Sequence, residues 1–160
     1  MLRDQAPMLI DTHCHLDATE YDTDRDAVAA AARNAGVEIV VPSVGRFNFD
    51  AVQQTCSRYR GCHTAYGMHP MYIHLHQASD VAELRAWLER ERPVAIGEIG
   101  LDLFQTCIAR PGVNQADYAL QEALFKEQLK LARDFDLPVL LHIRRANDQA
   151  LKHLRRIGVK

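Results

Sequence analysis

The sequence predicts an α/β fold with a parallel sheet, because short apolar runs of strand length alternate along the chain with longer segments of helical periodicity. The alternation occurs five times, which predicts five βα units. With 160 residues, 48% of them hydrophobic and 25% charged, the composition is that of one globular domain over residues 1–160. No apolar run approaches the roughly 20 residues that cross a bilayer, so we expect no membrane span.

The first unit combines a short strand with a capped helix. Apolar residues open the first strand at residues 8–11, and a helix is predicted from about residue 24 to residue 35. Thr23 is the expected N-cap of that helix, and Gly36 is its expected stop, since these residue types favour the two ends of a helix.

The second and third units follow without a linker. The continuous apolar run at 37–42 is typical of a parallel strand that is covered on both faces. A helix is predicted around residues 49–59, and the third strand around residues 64–67. The helix at residues 80–92 begins with a D-x-x-E sequence, which favours a helix start.

The last two units contain the most apolar strands, at residues 94–99 and 138–143. Between them a long loop leads to Asn114, which is expected to cap the longest helix. That helix has an amphipathic stripe, which predicts packing on a sheet. Its apolar residues are Leu120, Leu124, Phe125, Leu129 and Ala132. A short basic helix at residues 147–156 ends the chain.

A His-x-His pair follows the first predicted strand. Side chains alternate faces along an extended segment, so we expect His13 and His15 to point to one side and Cys14 to the other. Two adjacent imidazoles form a chelate for a metal ion. Taken alone, the pair is equally compatible with a structural role.

Glu98 and His142 are polar residues within apolar strands. Burial of the Glu98 carboxylate is costly unless a cation or strong donors meet it. For His142 alone, a satisfied core histidine is an alternative. With His13 and His15, these residues lie at the carboxyl ends of three parallel strands, where α/β folds place their active sites. Mixed histidine and carboxylate ligands suit divalent ions such as Zn²⁺ or Mn²⁺, so the four residues predict a metal site.

Two further residues are candidates for substrate binding. Arg144 lies two positions beyond His142, where a guanidinium could bind a phosphate with two hydrogen bonds, although an ordinary surface arginine is an alternative. His69 ends the third strand and could contact substrate or support the metal site, or simply cap the local structure. His74 and His76 repeat the His-x-His spacing, but no apolar strand precedes them, and we expect a solvated loop there.

The charge and the cysteines limit the partners and the compartment. The formal net charge of −2 gives no positive field over the whole domain to bind duplex DNA. Basic residues near the C-terminus could follow a nucleic-acid backbone, although their favourable interaction with the dipole of the last helix is an alternative explanation. The four cysteines form no CxxC pair, and no signal-peptide pattern opens the chain, so we expect a reduced, cytoplasmic protein.

Four motifs occur in order along the chain. They are Ile10-Asp11-Thr12-His13-Cys14-His15-Leu16-Asp17, Gly67-Met68-His69-Pro70, Gly97-Glu98-Ile99-Gly100-Leu101-Asp102 and Leu137-Pro138-Val139-Leu140-Leu141-His142-Ile143-Arg144. Together they resemble the TatD family of metal-dependent deoxyribonucleases, and they look closest to its YjjV-like branch. The resemblance extends from about residue 8 to residue 156.

The resemblance implies a TIM-barrel-type (β/α) metallo-hydrolase fold with two divalent ions, Mg²⁺, Mn²⁺ or Zn²⁺. By motif match, His13 and His15 would hold one ion, His142 would hold the second, and Glu98 would bridge both. It also implies hydrolysis of DNA phosphodiester bonds by a metal-activated water, with DNA ends or single-stranded DNA as substrate.

This chain resembles only the first five of the family's eight βα units. A complete (β/α)₈ barrel typically needs about 250 residues. The family completes its site with a histidine on the sixth strand and an aspartate near the end of the eighth, and this chain has neither. The catalytic residue is therefore unknown, and we expect two ions or fewer. The later candidates Asp148 and His153 fall on the last predicted helix. Open edges at the first and fifth strands favour self-association.

Two other functions are compatible with these residues. The same barrel and ligand set could serve a hydrolase of small-molecule esters or amides, because one fold hosts many chemistries. The chain could also be a catalytically incomplete remnant or an oligomerising module.

Overall fold

Strands and helices alternate in the computed structural model, which describes residues 9–104 and 115–159. The strands are β1 (Leu9–Asp11), β2 (Val37–Pro42), β3 (Cys62–Tyr66), β4 (Ala95–Asp102) and β5 (Val139–Arg144). The α-helices are α1 (Arg25–Asn34), α2 (Phe49–Arg58), α3 (Asp80–Glu91), α4 (Gln115–Asp134) and α5 (Asn147–Ile157). Short 3-10 turns occur at Thr19–Tyr21, Arg46–Asn48 and Pro70–Leu75.

The five strands form one sheet in the order β1-β2-β3-β4-β5, and every neighbouring pair is parallel. Because all strands run the same way, their carboxyl ends meet at one edge of the sheet. β4 is buried along its whole length, whereas all three residues of β1 are exposed. The core lies between the sheet and its helices and includes Val41, Tyr66 and Phe125.

The predicted elements are confirmed, with shifts at their ends. The second strand has the predicted bounds, while the fourth continues to Asp102 because its backbone pairs with β5 through Gly100 and His142. Gly100 permits this close pairing: its φ is +156°, and a Cβ there would lie 1.8 Å from the carbonyl oxygen of His142.

Of three residues predicted at the ends of elements, one is not found there and two lie outside the described residues. Thr23 is not the N-cap of α1; Asp24 occupies that position, and its side chain makes no capping hydrogen bond. Met8, expected to open β1, and Asn114, expected to cap the longest helix, lie outside the described residues. The predicted apolar stripe of α4 is confirmed as part of the core, with Phe125 and Leu129 fully buried.

Within the described ranges, none of the helices is long and apolar enough to cross a membrane. Cys14, Cys56 and Cys62 are free thiols.

Candidate metal centre

Glu98 lies at the centre of a cluster of four histidines, two facing each of its carboxylate oxygens. Oε2 lies 3.0 Å from Nε2 of His13 and 3.3 Å from Nε2 of His15. Oε1 lies 3.2 Å from Nε2 of His69 and 3.3 Å from Nδ1 of His142. The structure therefore brings together the four predicted ligands and adds His69, which was predicted as a substrate contact.

The parallel sheet brings these side chains together. β4 carries Glu98, β5 carries His142, and His13 and His15 follow β1 at the same edge. The segment after β1 continues alongside β2, since the Cys14 N–H donates to the Val40 carbonyl over 3.1 Å. Cys14 packs against the core while its two neighbours face Glu98, as the alternation of side chains predicts.

Arg25 stabilises the loop that follows the His-x-His pair. Its guanidinium donates to the carbonyl oxygens of Leu16, Asp17 and Ala18 at 2.6, 3.2 and 2.6 Å. A planar group with several donors suits this task, because it can bind a curved stretch of backbone. The loop is therefore fixed by a helix that the same βα unit supplies.

The Glu98 carboxylate is anionic although its side chain is only 8% exposed. Burial alone would raise its pKa, but the hydrogen bonds from His142, His15 and His69 together hold that pKa well below its usual range. Imidazoles therefore supply the strong donors that a buried carboxylate requires.

His15 and His142 each use the second ring nitrogen to fix the orientation of the ring. Nδ1 of His15 donates to the Pro42 carbonyl over 3.1 Å, and Nε2 of His142 lies 3.2 Å from Oδ2 of Asp102. The other nitrogen of each ring faces Glu98, and the hydrogen bond to that carboxylate raises the pKa of both histidines. Such outer hydrogen bonds are typical of metal-ligating histidines.

His69 has the opposite arrangement of ring protons. Its Nδ1 accepts the backbone N–H of Met71 over 3.0 Å, so the proton of the neutral ring is on Nε2. That Nε2–H donates to Oε1 of Glu98. Although the distances group His69 with Glu98 and His142 as possible ligands, this hydrogen bonding makes it a donor to the carboxylate.

A solvated loop was predicted at His74 and His76, and the prediction is correct for His74 but wrong for His76. His74 is exposed, but His76 is buried, and its Nε2 donates to the His69 carbonyl over 3.2 Å. Burial is also the main cause that lowers the pKa of His76. The hydrogen bond to the backbone of His69 therefore comes from a neutral imidazole that helps to position His69.

Asp102 is a residue of the site that the sequence pattern did not predict. Its side chain is fully buried and lies beside His142, and its backbone N–H donates to Oε1 of Gln121. The available signal was its spacing: Asp102 lies four residues after Glu98 on the same strand, and residues at even spacing share a face. A second acidic residue at the end of an apolar strand could have been read as a partner of His142.

Arg144 lies outside the residues that surround Glu98. Its guanidinium stacks over the ring of Phe104 at 3.6 Å, and the guanidinium of Arg145 lies 4.7 Å from the same ring. The late candidate His153 is buried on α5, where its Nε2 lies 2.7 Å from Oε1 of Glu122 on α4. This helix contact agrees with leaving His153 out of the predicted site.

An open cleft of about 970 Å³ lies beside the cluster and includes His13, His15 and His69 in its wall. Its other described lining residues are acidic, uncharged polar, aromatic or apolar, and none is lysine or arginine. Oδ1 of Asp17 in this wall is buried without a hydrogen-bond partner, and burial raises the pKa of that carboxyl.

A curled parallel sheet with a histidine and carboxylate cluster at the carboxyl ends of its strands defines a TIM-barrel-type α/β protein with a candidate metal centre. Residues 10–160 match the TatD related DNase family, and the chain belongs to that family. This confirms the resemblance and the fold class that the four motifs predict.

The relatives are similar over nearly all of this chain. It is 39% identical over 150 residues to the "uncharacterized metal-dependent hydrolase YjjV" of Escherichia coli K12, covering 92% of this chain and 55% of that protein. It is 34% identical over 143 residues to a "3'-5' ssDNA/RNA exonuclease TatD" from Pantoea, covering 88% and 52%. The crystal structure of YjjV superposes with a TM-score of 0.82 at 38% identity, covering 95% and 57%. The chain thus spans about half the length of the relatives it matches.

Proposed function

We propose that this chain provides the metal-binding half of a divalent-metal-dependent hydrolase that cleaves phosphodiester bonds in DNA. The proposal rests on one observation: each carboxylate oxygen of Glu98 faces a different pair of imidazoles. A carboxylate with ligands on both sides is suited to bridge two ions. The donor set of histidine nitrogens and carboxylate oxygens fits Zn²⁺ or Mn²⁺, and Mg²⁺ is the third candidate.

The hydrogen bonding of each ring supports the assignment of ligands. His13 and His15 would hold one ion, His142 would hold the second, and Glu98 would contact both. His15 and His142 present to Glu98 the ring nitrogen that remains available once the outer hydrogen bond is made. When bound, the ions would activate a water and neutralise phosphate charge.

Other residues of the chain would position these groups and the substrate. His69 donates Nε2–H to Glu98 and so orients the carboxylate, while Asp102 orients His142. Arg144 is exposed, and its guanidinium, stacked on Phe104, is available to bind a phosphate oxygen. The general base stays unassigned, because the family's aspartate has no counterpart among the motifs of this chain.

DNA ends or single-stranded DNA are the proposed substrates. Relatives named as single-strand exonucleases support this class, and the formal net charge of −2 disfavours binding along an extended duplex. We also propose that residues 1–160 form one domain that corresponds to the first five units of a barrel.

A second candidate function is self-association through an open edge of the sheet. Leu9 and Ile10 of β1 are 61% and 54% exposed, and an exposed apolar edge strand is a template for pairing with another chain. Sedimentation velocity at increasing protein concentration tests this candidate, since a monomer at all concentrations contradicts it.

Hydrolysis of end-labelled DNA tests the main proposal. Single- and double-stranded oligonucleotides are incubated with monodisperse protein and Mg²⁺, Mn²⁺ or Zn²⁺, beside p-nitrophenyl esters of phosphate and acetate. We expect hydrolysis of DNA by the unsubstituted chain, loss of activity in His15→Ala, and normal activity in His74→Ala, a matched control at an exposed histidine. Folded protein that cleaves the small esters but no DNA supports the small-molecule hydrolase instead, and folded protein that cleaves neither contradicts the proposal for this chain.

A further inference from the structure

Four exposed apolar side chains lie on two turns beside the cleft, and the turns meet where Phe47 contacts Tyr72. Phe47, Met71, Tyr72 and Leu75 are 52%, 40%, 38% and 55% exposed, and we call them the aromatic rim. Phe47 lies on the turn before α2, and the other three lie on the turn that follows His69. Large apolar groups grouped on a surface beside a cleft indicate a binding site more often than isolated ones do.

The aromatic rim is continuous with the metal centre. The rings of Phe47 and Tyr72 are 5.6 Å apart, and the ring of Tyr72 is 5.9 Å from the ring of His69. His69 in turn contacts Glu98. Met71 and Tyr72 also line the cleft itself, so a molecule bound in the cleft beside His69 would contact the rim.

The local structure holds Phe47 in place without a bound partner. The side-chain oxygen of Asn48 accepts the backbone N–H groups of Val44 and Gly45 at 3.1 and 3.2 Å. The ring of Phe47 is parallel to that of buried His76 within 16°, at 6.3 Å. Gly45 makes room for both, because a Cβ there would lie 2.5 Å from the His76 ring and 2.6 Å from the Phe47 ring. The exposed face of Phe47 is thus preorganised.

The charges near the rim argue against binding by phosphate contacts alone. The described wall of the cleft contains Asp11, Asp17 and Glu20 but neither lysine nor arginine. Arg46, next to Phe47, already contacts Glu83 over 3.4 Å. A polyanion would therefore gain little at the rim from ionic contacts, and its bases are the groups that could supply affinity there.

We propose that the aromatic rim binds a nucleobase of single-stranded nucleic acid by stacking on Phe47 and Tyr72. The inference rests on the proposed function, since it takes a nucleic acid as the substrate of the same site, and it adds the residues that select single strands. A base in a duplex is stacked on its neighbours and cannot offer its face to a side chain, whereas an unpaired base can.

Fluorescence anisotropy of labelled decamers measures this contact without relying on hydrolysis. The probes are a phosphorothioate decathymidylate, its abasic analogue with the same backbone, and a ten-base-pair phosphorothioate duplex, all in Mg²⁺. For Phe47→Ala and Tyr72→Ala we expect binding of decathymidylate at least about fivefold weaker. Abasic and duplex binding should be unchanged, and Phe47→Trp and Tyr72→Phe should retain normal affinity. Leu151→Ala, at a 45% exposed residue of α5, is the matched control and should bind normally.

Three results would overturn the stacking site. The unsubstituted chain could bind the abasic and base-containing strands equally, or bind neither. The alanine variants could bind decathymidylate as the unsubstituted chain does. Sedimentation velocity could show that Phe47→Ala dissolves a dimer, which would make the rim a contact between two copies of this chain.

The fate of the proposed function can be separated from that of the stacking site. Hydrolysis of DNA that is indifferent to Phe47→Ala would leave the function standing and remove the stacking site. Base-dependent binding by a chain that hydrolyses no DNA would leave the stacking site standing and remove the proposed function.

Discussion

The two sides of Glu98 differ in burial and in what supports the histidines. On the side of Oε2, the side chains of His13 and His15 are 39% and 34% exposed and border the open cleft. On the side of Oε1, those of His69 and His142 are 6% and 20% exposed and are supported by His76 and Asp102. The comparison indicates that the first pair is more open to a ligand from the cleft, whereas the second pair is packed more closely into the fold.

Glu98→Ala is the change that should have the largest effect, because it removes the group shared by both sides. We expect affinity for Mn²⁺ to fall by more than about a hundredfold, beyond the range that outer hydrogen-bond partners of a ligand typically control. Isothermal titration of the folded variant measures this loss. A small change would mean that the histidines alone hold the ions and that Glu98 does not join two half-sites.

His142→Ala should separate the two roles of the buried side. We expect Mn²⁺ affinity at least about tenfold lower and, in ion-free protein, a free energy of unfolding lower by about 1–3 kcal/mol, because the buried carboxylate of Asp102 loses its imidazole partner. His13→Ala, on the exposed side, should lower the affinity with little effect on unfolding. Urea denaturation in EDTA compares the variants, and equal destabilisation by both would remove the distinction between the sides.

Asp102→Asn keeps the shape of the side chain but removes its charge. We expect Mn²⁺ affinity about tenfold lower, as for other partners that orient a metal-ligating histidine. The same titration checks this value, and circular dichroism confirms the fold of the variant. An affinity that matches the unsubstituted chain would show that β5 alone fixes His142.

The smallest effect near neutral pH should be a dependence of metal affinity on protons. Glu98 raises the pKa of His15 and His142 above their ordinary 6.5 in the ion-free chain, so an ion must displace protons from them. Affinity should fall as the pH drops through these raised pKa values. The contribution of His15 and His142 to the stability of the ion-free chain should change in the opposite direction: it is fully present below pH 6.5 and is lost as the pH rises through the raised values. Titrations and unfolding curves over pH 5.5 to 8 measure how Mn²⁺ affinity and the free energy of unfolding change with pH. The same sign for both changes would contradict this prediction.

Much of the fold and the residues of the cluster around Glu98 could be predicted because both depend on local pattern. The apolar runs define the strands, and alternation places His13 and His15 on one side. Glu98 and His142 attract notice because a polar group in an apolar strand needs a partner. None of these inferences requires the tertiary structure, since each follows from the residue and its immediate neighbours.

The remaining features depend on contacts between distant segments. Asp102 becomes a partner of His142 only when β4 pairs with β5, and the ring protons of His69 follow from the position of the Met71 N–H. His76 is buried because its turn folds back on His69 and Phe47, although its sequence neighbours look solvated. Arg144 shares the parity of His142, but as the last residue of β5 it stacks on Phe104 instead of joining the cluster around Glu98.

The most direct test of the candidate metal centre is a Mn²⁺ titration of the unsubstituted chain beside His15→Ala and His74→Ala. His15 is the informative position because it lies on the exposed side, where loss of a ligand is least mixed with loss of packing. We expect binding at least about tenfold weaker in His15→Ala and unchanged in His74→Ala. Equal affinity in all three proteins would contradict the assignment of a metal site around Glu98.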